Sequence, residues 1–175
     1  MRALCIAAAA CGLVAAPASA AELFGGVYAH DQMTFLNRGG FESGADVLVG
    51  IRGSRIDALG FIGAPAPYAF GSIATSGGTD LAAAGLGWKF GRRIYVRPGI
   101  GLAIHTRSSN GVRAGFRTDL GSRILFEPEL GIGFQVSDRL SAEASWIHVS
   151  NAGILSRQNP GQDNIGVRLN LKLGK

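Results

Sequence analysis

From Ile94 to Thr106, and again from Ser122 to Val136, apolar side chains recur at every second position, which suits a strand with one greasy face and leaves no room for a helix. The first of these runs sets Ile94, Val96, Pro98, Ile100, Leu102 and Ile104 against Tyr95, Arg97, Gly99, Gly101, Ala103 and His105. The second sets Ile124, Phe126, Pro128, Leu130, Ile132, Phe134 and Val136 against Leu125, Glu127, Glu129, Gly131, Gly133 and Gln135. Two later runs repeat the rhythm, Leu140 to Ser150 and, most cleanly, Asp163 to Leu173. No stretch after the first twenty residues approaches the about 18 continuous apolar residues of a spanning helix.

The chain begins as an exported protein does. Arg2 is a positive start, Leu4 to Ala16 an apolar core, and Ala18-Ser19-Ala20 a small-residue cleavage site, so residues 1–20 read as a signal peptide and residues 21–175 as one domain. Both cysteines, Cys5 and Cys11, would leave with that leader. A lipid anchor at Cys11 is disfavoured because Ala8-Ala9-Ala10 lacks the bulky residue expected before it. Charged residues make up 17% of the chain against about 25% in ordinary globular domains. An exported chain with apolar surface and no spanning helix has a common solution, a closed barrel in the outer membrane. The expected fold is therefore all-β, an eight-stranded antiparallel transmembrane β-barrel.

Eight strand-like runs fit that reading: 22–30, 44–52, 66–75, 80–90, 94–106, 122–136, 140–150 and 163–173. The first three alternate weakly, and Leu81 to Ala84 is an alanine-rich patch of ambiguous period. Their polar faces would bring Asp46, Arg52, Lys89, Arg97, Glu127, Glu129, Glu143 and Arg168 into the lumen, where mixed signs predict a closed ionic network rather than a pore. Glu127 and Glu129 are read as members of that network, not as an acid/base pair. Gly91-Arg92-Arg93 and Ser137-Asp138-Arg139 are tight turns, whereas 31–43, 107–121 and 151–162 are longer loops. Short turns face the periplasm in such barrels and long loops face outward, which puts 151–162 outside.

The chemistry concentrates at that outer end. His148 and Ser150 are two residues apart on one strand, so they share a face with Trp146, and Asp163 is in phase with the leucines of the next strand. If these runs pair as a hairpin, imidazole, hydroxyl and carboxylate meet on a lipid-facing surface. An isolated His-x-Ser pair carries little weight. Polar groups facing lipid are costly enough to suggest function, unless they stand in the headgroup zone where polarity costs little. His30 and His105 have no such neighbours in sequence and read as structural. The histidines are scattered and the expected mature chain has no cysteine, so no metal-ligand spacing and no cofactor motif is present, and the dispersed arginines give no nucleic-acid signature.

His148-Val149-Ser150-Asn151-Ala152-Gly153, followed by Asn159-Pro160-Gly161 and a strand, resembles the C-terminal signature of the PagL-type lipid A 3-O-deacylases, the acyloxyacyl hydrolase family. The likeness is specific over about Trp146 to Leu169. It implies an outer-membrane esterase whose membrane-facing Ser-His-Glu triad removes the acyl chain at the 3-position of lipid A, with lipopolysaccharide as substrate and a homodimer left open. His148 and Ser150 match the family's base and nucleophile. Its acid is usually glutamate, and here the position falls to Asp163, or to Gln162 under another alignment of the loop. The oxyanion donors expected are Asn151 with the backbone amides of Ala152 and Gly153. Acyl chains would lie along Trp146, Ile165 and Val167, with Trp146 alternatively an interfacial anchor and Arg157 a candidate for the phosphates. The rival reading is a non-catalytic small barrel with a structural or adhesive role, and a soluble lipocalin-like binder comes third.

Overall fold

The computed structural model describes residues 21–37, 40–106 and 118–174. The expected leader lies outside them, as does all of the 107–121 loop except its last four residues. The strands are β1 (Glu22–Ala29), β2 (Ala45–Arg52), β3 (Ala66–Ala74), β4 (Leu81–Gly87), β5 (Phe90–Gly91), β6 (Ile94–His105), β7 (Ile124–Gln135), β8 (Leu140–Val149) and β9 (Gln162–Lys172). Every pairing is antiparallel, and the β1–β9 seam closes the sheet on itself. β4 and β5 both pair with β6, so they form one interrupted stave and the barrel has eight staves. The interruption has a covalent cause. The register puts Trp88 opposite Pro98; Trp88 donates to the Pro98 carbonyl at 2.9 Å, but proline has no N–H to return the bond.

Period-2 alternation sorts the walls as expected. Val47, Val49, Ile100, Leu102, Ile132, Val167 and Leu169 stand exposed on the outer surface. A band of this kind around a closed barrel belongs in lipid. No described helix is long and apolar enough to cross a membrane. The first three strands look weak in sequence because their inner faces are apolar too: Phe24, Tyr28, Leu48, Tyr68 and Phe70 are buried in the lumen. The connection from β2 to β3 is also longer than the other turns at its end, residues 53–65, and it carries a short 3-10 helix, Asp57–Ile62.

Charge fills the middle of the lumen. Arg168 donates to Glu129 from Nη1 at 2.8 Å and to Glu143 from Nε at 2.7 Å, and Arg97 Nε lies 3.1 Å from the other Glu143 oxygen. Glu22, which the polar-face reading passed over, takes Arg52 at 2.8 Å and Arg97 at 3.0 Å on one oxygen. The Tyr68 hydroxyl donates to Glu127 at 2.5 Å, and the guanidiniums of Arg52 and Arg168 lie 4.7 and 5.0 Å from the centre of the Phe24 ring. Glu127 and Glu129 are thus network members, each with its own donor. Gly131 makes room for this packing, because a Cβ there would collide with the Glu143 carboxylate.

Candidate active site

β8 and β9 meet in a register that makes His148 and Asp163 direct cross-strand partners. On β9, Asp163 has the parity of the exposed Ile165 and Val167, yet it is 0% exposed, and His148 is 6% exposed. The cover comes from the loop after β1. Gln32 donates its backbone N–H to the Asp163 carbonyl at 2.7 Å, and the Thr34 hydroxyl donates to Asp163 Oδ2. The other carboxylate oxygen, Oδ1, receives His148 Nδ1 at 2.6 Å. Asp163 therefore has both side-chain oxygens occupied, one by the imidazole and one by the covering loop. His148 Nε2 makes no hydrogen bond among the described residues, and neither does the Ser150 hydroxyl.

Ser150 stands two residues beyond His148, 8% exposed, on the last rung shared with β7. Its N–H bonds the Phe126 carbonyl at 3.1 Å and its carbonyl accepts from Phe126 at 2.8 Å. The same register sets Pro128 opposite His148, where the missing N–H breaks the ladder between the two residues. Gly161 lies against the imidazole from the far side. It has φ +74°, and a Cβ there would sit 3.0 Å from His148 Cε1, so the position suits glycine on both counts. The Trp146 ring is 6.1 Å from His148 and 6.1 Å from Phe35 of the covering loop. Met33, Phe35, Leu36, Ile154 and Leu155 stand exposed on the loops at this rim.

The remaining sequence candidates divide. Gln162 points to the lumen side, paired with Val149 and donating to Asn164 Oδ1 at 3.2 Å, so it does not reach the imidazole position that Asp163 holds. Asn151 does not offer its amide to a reacting group: Nδ2 donates to the carbonyls of Leu120 at 2.8 Å and Gln158 at 2.7 Å. Its N–H is taken by Asn159 Oδ1 at 2.9 Å, and its Oδ1 accepts the Gly153 N–H at 2.9 Å. The groups expected as oxyanion donors at Asn151 and Gly153 are thus engaged within the loops. An asparagine that closes an Asx turn on its own loop has no donor to spare. Ala152, at φ +56°, has an N–H with no acceptor among the described residues. Arg157 is exposed on the same loop.

His30, read as structural, gains two carboxylate neighbours that its place in the sequence did not show. It is fully buried, with Nδ1 2.7 Å from Asp46 and Nε2 2.8 Å from Glu42. Burial alone would lower its pKa, but the hydrogen bonds and charges of Asp46 and Glu42 outweigh that and hold it up at about 9. The ring is thus a cation at neutral pH, clamped between the root of β2 and the loop after β1. Asp31 extends the clamp, accepting from Asn37 Nδ2 at 2.7 Å, the Glu42 N–H at 2.9 Å and the Thr118 hydroxyl at 2.9 Å. Thr34 and this clamp escaped the sequence reading, which named Gly161 only as part of a signature and not for its contact with His148. Thr34 and Asp163 are 129 residues apart, and only the positive φ favoured by an Asn-Pro-Gly turn hinted at Gly161.

A family model described as lipid A 3-O-deacylase (PagL) matches residues 64–172. Among solved structures, the chain is similar to the outer membrane enzyme PagL, with a TM-score of 0.60 and 20% identity over 86% of this chain and 98% of that one. It is also similar to Neisserial surface protein A, with a TM-score of 0.52 and 10% identity over 87% and 96%. At such identities the structural likeness is one of fold. No curated protein sequence is matched.

Proposed function

The chain belongs to the lipid A 3-O-deacylase (PagL) family of outer-membrane enzymes, and from that membership we propose that it cleaves the 3-position ester of lipid A with Ser150, His148 and Asp163. The observation that carries the residue assignment is the His148–Asp163 pair, 2.6 Å across the β8–β9 ladder on a lipid-facing surface, with Ser150 next on the same face. In this reading Asp163 fixes the proton on Nδ1, which leaves Nε2 as the base toward Ser150. A serine–imidazole hydrogen bond that forms only with substrate bound is common in such sites.

The Ser150 oxygen attacks the ester carbonyl carbon while His148 accepts its proton. The tetrahedral oxyanion takes the Ala152 N–H, and the C–O bond to the sugar breaks as His148 returns the proton to the departing hydroxyl. Water, activated by the same imidazole, then releases the fatty acid from Ser150. Acyl chains approach sideways from the outer leaflet along Trp146, Ile165 and Val167, with Phe35 as a further wall. Arg157 faces the lipid A phosphates.

The test is mass spectrometry of lipid A from cells expressing the chain or Ser150→Ala, with folding followed by heat-modifiable gel mobility. Loss of one 3-hydroxyacyl unit with the unsubstituted chain alone is the expected result. Unchanged lipid A from both, with both barrels folded and the ester available, would return the chain to a structural or adhesive role.

A further inference from the structure

At the end opposite Ser150 the lumen is open. A cavity of about 830 Å³ lies there, among the turn residues of β5–β6 and β7–β8 and the 53–65 connection. Its wall contains Arg52 and Arg97, both buried, and the exposed Arg55, Lys89, Arg92, Arg93 and Lys172, against Asp138 as the one acid that lines it. The two buried guanidiniums are short of partners. A single Glu22 oxygen serves both, Arg52 has besides it only Asn170 Oδ1 at 3.3 Å, and the neighbouring Glu143 is shared with Arg168. Arg52 Nε and Nη2 and Arg97 Nη2 are left buried without a hydrogen-bond acceptor among the described residues. Buried donors of this kind carry a desolvation cost, and a negative charge in the adjoining cavity offsets it through space while the rim side chains make the contacts.

We propose that this periplasmic mouth is a binding site for a phosphate-bearing ligand. Guanidinium forks match the several oxygens and the charge of a phosphate, and a volume of this order accommodates more than one phosphate group or a phosphorylated headgroup. The positive rim faces the periplasm and the inner leaflet, so the phosphate comes either from a free oligophosphate or from an anionic phospholipid. The proposal is independent of the esterase assignment, whose residues lie at the other end of the barrel.

Trp88 lines the cavity, with its indole N–H on the Ile62 carbonyl at 2.8 Å, and serves as a built-in reporter once Trp146 is changed to phenylalanine. The folded full chain in an uncharged detergent is titrated with inorganic pyrophosphate and, separately, with short-chain phosphatidylglycerol. The expected result is saturable change in Trp88 fluorescence, weakened about tenfold or more in Arg52→Gln and in the rim variant Arg92→Gln/Arg93→Gln. The rim variant leaves the Glu22 network intact, so it reports even where Arg52→Gln does not fold. Saturation by pyrophosphate alone points to a free phosphate ligand, and saturation by the lipid with mutual competition points to a headgroup. No saturation by either, equal affinity in the rim variant, or the same response to sodium chloride at matched ionic strength would overturn the proposal.

Discussion

Asp163 is one methylene shorter than the glutamate usual in the family, and its position directly across from His148 makes up the difference, since the carboxylate reaches Nδ1 at 2.6 Å without the extra carbon. Asp163→Asn keeps the shape but loses the charge that steadies an imidazolium, and the expected outcome is a fall in deacylation rate of about 10³- to 10⁴-fold in detergent assays, with gel mobility unchanged. Asp163→Glu restores the charge at the wrong reach and should fall between the two. Gly161→Ala tests positioning: the new methyl meets His148 Cε1 at 3.0 Å at a left-handed φ, and a displacement of that order is expected to lower the rate by about 10²-fold. The meeting of His148 and Asp163 on one face, with Ser150 beside them, was legible in the sequence because the period of a strand assigns each side chain to a face. Asn151 was not, because its partners at positions 120 and 158 belong to other turns of the loops, and a local motif says nothing of which carbonyls will need its amide.

The loop after β1 is pinned by charge near both of its roots, His30 at one and Glu42 with Asp46 at the other. With His30 held at about 9 in the fold and 6.5 as its ordinary value, its contribution is full below about pH 6.5, declines as pH rises and is gone beyond about 9. Glu42 works at the other limit: burial raises its pKa, but hydrogen bonds from His30 and Thr79 bring it below the usual carboxylate range, so its contribution is lost on acidification. Hydrogen exchange at residues 31–37 is therefore expected to be slow near neutrality and to lose protection above pH 9 beyond the ordinary base-catalysed rate. His30→Gln should abolish that step. The strands themselves were readable to within a residue or two, apart from the break in the fourth stave, where the pairing of Trp88 with Pro98 is a property of register and not of either stretch alone. The clamp was unreadable for the same reason, since His30, Glu42 and Asp46 come together only once the loop folds back over the rim.

For the whole barrel, stability is expected to depend on the lumen network more than on any single outer residue. Arg168→Met leaves Glu129 and Glu143 buried without their main donor, a change of a type that costs about 3–5 kcal/mol. The temperature at which the folded gel band disappears should drop clearly in that variant and stay put in Ser150→Ala. Composition and period made the closed barrel and its salt-bridged interior foreseeable. The open cationic mouth was not, because it depends on Arg52 and Arg97 sharing one glutamate from a third strand. The seam between β1 and β9 carries a further consequence. Asp163 lies on the last strand and the loop that covers it springs from the first, so the ends of the chain must zip together before His148 gains a covered partner. If Ser150, His148 and Asp163 are the triad proposed above, a chain in transit is an unfinished catalyst, competent only once the barrel has closed.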